Sequence, residues 1–576
     1  MKVIRNEYPS PQFKRSERKM LNGKWDFWMT NDKSSLVDLS ALKHYKIEVP
    51  FSYQYPLSGI NIKDHYDVLY YRKTFNLTQK EALKGALLHF NASDYETYVY
   101  INDKFIGTHI GGFDRFSFDI SDFIHEGENK IFIKVIDTND LDQVRGKQSP
   151  LDVQYGCWYY PNSGIYGSVW IEFFEGNFIE EISVFPNIDE FSVEGFTRLN
   201  KKSANKIRYQ VIFKNKIVHD SVKEIRDSYD KISIKFNDDN FVDDDYLWKL
   251  SNPNLFNLIV TIYKDEKVLD TVETRFGMRK ISIDKNGQIL LNNSPLYQKL
   301  ILDQGYYPEG GLTSPGINEL KNDILKAKDF GFNGARKHQK IEDPYFYYFA
   351  DELGYLVWLE CPSAYMFTNR EISNISNCWL KAVGQHINYP SIISYIPLNE
   401  SWGVRKIVND DRMKNFAKSL YYITKAIDPT RLISTNDGWE AVGTTDFIGV
   451  HDYAFDDKNF EKLYNDFSSI EEKFPQPRRL FAYEEKYQNQ PVLMSEFGGI
   501  AIAKELNGNE WGYNSGAKND GELVERINHL VKGIKKYNFQ GYCYTQLRDV
   551  QQEKNGLLDE SGKPKIDPKI LRKVFE

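Results

Sequence analysis

The sequence predicts a multidomain protein: a β jelly roll over residues 1–175, an immunoglobulin-like β-sandwich over 176–281 and a (β/α)8 TIM barrel over 282–576. Three observations carry this. The 576 residues exceed what one ordinary domain holds. The first half reads as short strands separated by turns, with a change near residue 175. Beyond "FGMRKISIDKNGQILLNN", helix-like and strand-like segments alternate, which is the pattern of a parallel barrel.

The jelly roll rests on runs such as "ALLHFNASDYETYVYINDKFIGTHIGG" (86–112), where polar and apolar residues alternate as on a half-buried strand. Asn102-Asp103 lies between two such runs and predicts a hairpin turn. The β-sandwich follows from "KIRYQVIFKN", "KISIKF" and "LIVTIYKDEKVLDTVETRF", with "SNPNLFNL" (251–258) leading into a late strand. In the barrel, "INELKNDILKAKDFG" has the spacing of an amphipathic helix, followed by the strand "FNGARKH". "DPYFYYFADELG" and "YLVWLE" repeat the alternation. "IISYIPLNE", a helix across 411–427, "RLISTND", "FIGVHDY", "PVLMSEF", a helix across 522–537 and "GYCYTQL" complete it.

Composition excludes several function classes. A hydrophobic fraction of 41% and a charged fraction of 27% are those of a soluble globular protein. No apolar run is long enough to span a membrane, and the first residues lack the apolar core of a signal peptide. A net charge of −7 without a basic stripe argues against nucleic acid. Four cysteines without metal spacing (Cys157, Cys361, Cys378, Cys543) suit a reducing cytosol, so a cytoplasmic location is expected. The 15% aromatic content, together with abundant Lys, Asn and Ile, fits the codon bias of an AT-rich genome better than sugar stacking.

Chemistry concentrates at two carboxylates. Glu400 closes "SYIPLNE" and Glu496 closes "PVLMSE", each at the C-terminal end of a predicted barrel strand, where catalytic groups of this fold sit. A carboxylate at the tip of an apolar strand is costly unless paired or working. Two of them at one barrel mouth suggest glycosidic cleavage, one acid protonating the leaving oxygen and the other attacking the anomeric carbon.

The chain resembles glycoside hydrolase family 2, the family of β-galactosidases, β-glucuronidases and β-mannosidases. The resemblance covers nearly the whole length. "YYRKTF", "LLHFNASDYETYVYINDKFIG" and "WYYPNSGIYGSVWIE" are similar to its sugar-binding jelly roll, and "FGMRK" (276–280) to its junction with the barrel. "GFNGARKH", "NYPSIISYIPLNES" and "PVLMSEFGG" are similar to its strand-end motifs.

This resemblance implies a retaining exo-β-glycosidase acting on an oligosaccharide or glycoside; no cofactor is expected, and the departures at Ala364 and Met366 argue against a catalytic metal. Glu400 would be the acid and then the base, Glu496 the nucleophile and Asn399 the partner of the sugar 2-hydroxyl. Arg336 looks like the family's second-strand arginine beside the nucleophile, or a structural arginine paired with a barrel acid. Tyr453 in "GVHDY" matches a tyrosine that hydrogen-bonds the nucleophile, and Glu360 fits a supporting third-strand acid. Asp303 and Gln304 could bind hydroxyls or simply form a loop turn, and His338 could bind substrate or be structural. Glu400 should have a raised pKa from partial burial and the charge of Glu496. Residues 137–166 of the first domain are expected to reach the barrel mouth as a pocket wall.

Three departures bear on the substrate. In "ECPSAYMF", Ala364 and Met366 stand where the large β-galactosidases have metal ligands. In "QEKNGLL", Glu553 and Asn555 stand where β-glucuronidases clamp a uronate carboxylate, and a glutamate would repel one. "YTQLRD" has Gln546 where many relatives stack a tryptophan on the sugar, so a more polar pocket floor is expected. β-Galactosidase is favoured as the commonest family activity. β-Glucuronidase, β-mannosidase and β-galacturonidase stay open, as do a catalytically silent carbohydrate-binding protein and homo-oligomerisation.

Overall fold

The computed structural model describes residues 4–34, 37–151, 153–236 and 245–576. The first domain is a jelly roll of two antiparallel sheets. One has four strands, in the order 18–20, 169–174, 85–90, 116–119. The other has six, in the order 45–49, 23–30, 68–77, 127–136, 96–101, 104–110. Strand Gly127–Ile136 buries every second residue, so Ile131, Ile133 and Val135 face the core with Trp25, Tyr71 and Val99. Asn102 and Asp103 both take positive φ (49° and 65°), the left-handed turn that joins strands 96–101 and 104–110.

The second domain is a sandwich of a three-stranded sheet (179–187, 192–199, 229–235) and a four-stranded one (216–224, 206–213, 256–264, 267–276). Its alternation is equally regular: Lys206–Phe213 buries Ile207, Tyr209, Val211 and Phe213.

Eight parallel strands form the barrel: β1 Gln298–Asp303, β2 Gly334–Lys337, β3 Leu356–Glu360, β4 Ile392–Ile396, β5 Leu432–Ile433, β6 Ile448–Asp452, β7 Val492–Gly498 and β8 Phe539–Thr545. Their order is β5-β4-β3-β2-β1-β8-β7-β6. Asp446 closes the remaining gap: its N–H donates to Ile433 O (2.8 Å) and its carboxylate accepts from Ile433 N (2.9 Å). The flanking helices are α1 Ile317–Asp329, α2 Pro344–Leu353, α3 Asn369–His386, α4 Asp411–Ile427, the short α5 Phe460–Tyr464, α6 Asp520–Lys536 and α7 Pro568–Phe575. Most barrel strands are buried throughout, as a parallel sheet covered on both faces requires.

The domains are locked together by buried polar contacts. Trp248 of the sandwich donates to the carbonyl of Asp351 in α2 (2.9 Å), and Arg279 donates to those of Pro390 and Ile392 at the entry to β4. Gly354, which ends α2 at φ +60°, lies where a Cβ would sit 2.3 Å from Leu250 O. The first domain reaches the barrel mouth through residues 137–166, as the sequence suggested. The N–H groups of Arg145 and Gly146 both donate to Ser363 O (2.9 and 3.0 Å). Gly146 has φ +60°, and a Cβ there would lie 2.1 Å from Gln339 O, so only glycine lets the loop press this closely on the barrel.

Candidate active site

Glu496 lies within β7, and its side chain is held from two sides. Arg336, at the end of β2, donates through Nη1 to Oε1 (3.0 Å), and Tyr453, just past β6, donates to Oε2 (2.5 Å). The tyrosine stays protonated because burial, and then the charge of Glu496, push its pKa well up. Its ring stacks on Tyr513 at 3.5 Å, which fixes the direction of the hydroxyl.

Arg336 is fully buried and, besides a backbone carbonyl and His451 Nε2 (3.0 Å from its Nη1), reaches four side-chain oxygens. They are Glu360 Oε2 (2.7 Å), Asp437 Oδ2 (2.9 Å), Asn399 Oδ1 (2.5 Å) and Glu496. Burial opposes its charge, but the three carboxylates outweigh burial, so the guanidinium is permanently cationic.

Glu400 sits four residues beyond β4, in a turn where it and Ser401 take φ of +52° and +57°. Such a conformation is strained for residues with a Cβ and persists only where neighbours hold it. Here Glu400 N donates to Asp437 O (2.8 Å), Ser401 N to Asn436 Oδ1 (3.0 Å) and Trp402 N to Asn399 O (2.9 Å). His451 of β6 is 2.7 Å from Glu400 Oε1 through Nδ1, while Trp402 Nε1 donates to Oε2 (3.3 Å).

His451 also lies 3.0 Å from Asp437 and 3.4 Å from Glu496 through Nε2. One oxygen from each glutamate and one ring nitrogen of His451 lie within 4.8 Å of one another. That triangle has the size of a cation site, and the Arg336 guanidinium already lies 3.0 Å from Glu496 Oε1 at its edge.

The expected raised pKa of Glu400 is overturned. Burial pushes it up, but the hydrogen bond and charge of His451, with help from Lys147, outweigh burial and hold it down at about 2. His451 moves the other way, to about 9, because Glu496, Asp437 and Glu400 outweigh its burial. The pair's exchangeable proton therefore rests on the imidazole in the free protein. The sequence reading counted one neighbouring carboxylate and missed the histidine between the two.

The other candidate residues divide. Asn399, next in sequence to Glu400, keeps Nδ2 buried and free of a protein partner. Gln304 Oε1 and both polar atoms of Gln546 are likewise buried and unpartnered, which suits them to hydroxyls rather than to ring stacking. Glu360 supports Arg336, and its pKa is raised, chiefly by burial. It also holds His338 Nδ1 (3.0 Å), whose imidazole is neutral because burial and then Lys147 lower its pKa well below the usual range. Asp303 does not join the group: Lys337 Nζ (2.8 Å) and Gly305 N (2.9 Å) occupy its oxygens, the loop-turn alternative.

Glu553 accepts from Tyr159 Oη (2.7 Å) and Asn555 Nδ2 (3.0 Å), and Asn555 Oδ1 remains unpartnered. Burial, with the charge of Glu496, raises its pKa against the pull of Lys147. A cleft of about 510 Å³ between the three domains, lined by Arg115, Gln385 and Tyr389, contains neither catalytic candidate. The chemistry lies at the barrel mouth, where the titratable groups converge.

His451, Asp437, Lys147 and Trp402 are the residues that sequence reasoning missed. His451 had a signal, since it precedes Tyr453 by two and therefore shares its face on an extended strand. Trp402 was visible in "NESWG", and Asp437 in the polar "STND" ending a predicted strand. Lys147 had none.

Three sequence models match in succession: "Glycosyl hydrolases family 2, sugar binding domain" over residues 19–172, "Glycosyl hydrolases family 2" over 177–279, and its "TIM barrel domain" over 283–515. A putative β-glucuronidase of Formosa agariphila is 26% identical over 445 residues, covering 74% of this chain and 51% of the relative. A β-galactosidase of Thermoanaerobacter pseudethanolicus is 27% identical over 382 residues, 64% of this chain and 48% of the relative. The chain spans about half the length of these two proteins. Among solved structures, a galacturonate-bound β-galacturonidase of Eisenbergiella tayi superposes with a TM-score of 0.78 at 16% identity, over 100% of this chain and 99% of that one. A Ruminococcus gnavus β-glucuronidase does so at 0.78 and 18%, over 100% and 99%. At these identities the likeness is one of fold.

Proposed function

Because the chain belongs to glycosyl hydrolase family 2, we propose that it is a retaining, exo-acting β-glycosidase that removes terminal β-linked sugars through a covalent glycosyl-enzyme. The carrying observation is the separation of Glu400 and Glu496, which bring oxygens within 4.8 Å of each other. Retaining enzymes set their carboxyl groups roughly 5–5.5 Å apart, and inverting ones roughly 6.5–9.5 Å to admit a water.

Glu496, paired with Arg336 and oriented by Tyr453, attacks the anomeric carbon. The Glu400–His451 pair delivers its proton to the leaving oxygen through Glu400. In the second step Glu400 takes a proton from the attacking water, which releases Glu496. The free Nδ2 of Asn399 meets the 2-hydroxyl, a contact that strengthens as charge develops at the anomeric centre.

For the sugar we favour a neutral one, a β-galactoside first. Glu553 supports this, since its oxygens accept from Tyr159 and Asn555 and so offer a uronate carboxylate no donor. A second reading, a β-glucuronide or β-galacturonide, has one observation in its favour. The buried Lys147 feels Glu553, Glu400 and Glu496 and stays charged, while no described carboxylate makes a close ion pair with it. A panel of 4-nitrophenyl β-glycosides, neutral and uronic, separates the two. Proton NMR of the first-formed sugar tests the mechanism: a β-anomer is expected, and an α-anomer would exclude retention. The four unpaired thiols suit a reducing compartment, so we place the protein in the cytosol.

A further inference from the structure

We propose that the cleft between the three domains is a second ligand site, apart from the barrel mouth, and that Arg115 there binds the carboxylate of a small monocarboxylic acid. The cleft encloses about 510 Å³ and holds neither Glu400 nor Glu496. Its walls come from the jelly roll (Phe113, Arg115, Tyr166), the sandwich (Glu180, Arg198) and the barrel (Gly384, Tyr389). The space is open beside α3. A Cβ on Gly384 would meet nothing within 4 Å outside its chain neighbours and its own helix backbone.

Charge pairing around the cleft leaves one cation over. Glu180 and Glu181 share Arg198 (2.5 and 3.3 Å), and Glu342 holds Lys340 (2.9 Å) and Lys337 (2.7 Å). Asp343 holds Arg5 (2.7 Å), and Lys381 holds Asp114 (2.9 Å). His386 is neutral, because burial, with Arg115 adding to it, lowers its pKa to about 4. Arg115 differs from all of these. Its Nη1 donates to the Ser10 hydroxyl, while Nε and Nη2 have no protein partner and no carboxylate pairs with it among the described residues. Burial pulls its pKa below the ordinary arginine value, and Tyr389 and Glu172 offset this only in part. Arg5 and Arg15, buried but each with two carboxylates, move the other way.

The arginine is also held in place before any ligand arrives. Arg115 N donates to Gln385 Oε1 (3.2 Å) and Gln385 Nε2 donates back to Arg115 O (2.7 Å), which ties this loop of the jelly roll to α3. A guanidinium presents its free N–H groups as a planar fork that matches a carboxylate. One uncompensated charge is offset by one carboxylate. A phosphate dianion would bring a second negative charge against a wall that already carries Glu180, Glu181, Glu342 and Asp343. The volume exceeds that of a carboxylate alone, and Phe113, Tyr166 and Tyr389 give the rest of the ligand an apolar wall.

Titration of the full chain with benzoate tests this, read by saturation-transfer difference NMR near neutral pH at fixed ionic strength. Benzoate should bind saturably with a Kd of about 1 mM or tighter. Benzamide, of the same shape without the charge, and inorganic phosphate should each bind at least ~10-fold more weakly. Arg115→Gln should weaken benzoate at least ~10-fold through loss of the charged partner. Gly384→Leu fills the cleft from α3 with a good helix former, so it should keep the fold and weaken benzoate at least as much. Should Arg115→Gln not fold, Gly384→Leu decides alone. Benzoate that does not saturate, or whose affinity is unmoved in either folded variant, overturns the site. Benzamide or phosphate binding as tightly as benzoate overturns the assignment to a carboxylate.

Discussion

Glu400 and Glu496 are the same residue type at the mouth of one barrel and share His451, 2.7 Å from the first and 3.4 Å from the second, yet their other partners differ. Glu496 is held inside a regular strand, with an obligate cation on one oxygen and a tyrosine hydroxyl on the other. Glu400 lies past its strand in a left-handed turn, with a titratable imidazole on one oxygen and an indole N–H on the other. A group that must stay ionised and attack is served by partners that never give up their charge or their proton. A group that must exchange a proton is served by a partner that can. On the proposed roles, the difference between nucleophile and acid lies in the partners, not in the carboxylates.

The largest effect that could break this contrast is in the glutamates themselves. Glu496→Ala should lose at least ~10⁴-fold in turnover for every substrate, because no covalent intermediate can form. Glu400→Ala should retain glycosylation by dinitrophenyl substrates. Azide should then yield the β-glycosyl azide with Glu400→Ala and the α-product with Glu496→Ala. Swapped anomers would reverse the roles.

His451→Gln comes next. Loss of the proton source should cost about 10²-fold or more with poor leaving groups and much less with dinitrophenyl ones. The sign of the pH dependence follows from the shifts. His451, raised to about 9, holds its proton at neutral pH, so activity should fall as pH rises through about 9. The same linkage makes its contribution to stability complete below the ordinary histidine range and lost through about 9. Glu400, held down at about 2, contributes above the ordinary carboxylate range and loses that contribution only as pH falls toward 2. In His451→Gln the alkaline limb should move down by about two pH units or more, since Glu400 must then hold the proton alone. An unmoved limb would remove His451 from the proton path.

Tyr453→Phe sharpens the other half of the comparison. It removes one donor from Glu496 and leaves Arg336, so kcat/KM should fall about 10- to 100-fold, with the pH limb unchanged. A shifted limb would show that the tyrosine, too, takes part in proton exchange. The smallest effect concerns the loop that reaches the site. Gly146→Ala forces a Cβ against Gln339 O at φ +60° and should lower stability by about 1–3 kcal/mol, read as an earlier melting transition. An unchanged melt would mean that the loop docks without needing glycine.

The sequence by itself determined the architecture and the two carboxylates. Alternating burial in Gly127–Ile136 and Lys206–Phe213, and the left-handed pair Asn102-Asp103, are local consequences of side-chain periodicity and turn chemistry, so they could be read from the order of residues. Glu400, Glu496 and Asn399 were legible because each follows an apolar run of the sequence, where a polar residue needs a reason. Tertiary structure alone decided which protons these groups hold. The proton affinity of Glu400 depends on His451, 51 residues away, and on Lys147 in another domain. An edge-to-face contact joins Trp158 to Trp402 across the same domain boundary. Electrostatic energy sums over neighbours in space, and in a buried site a few ångströms set its sign. No periodicity along the chain encodes that distance.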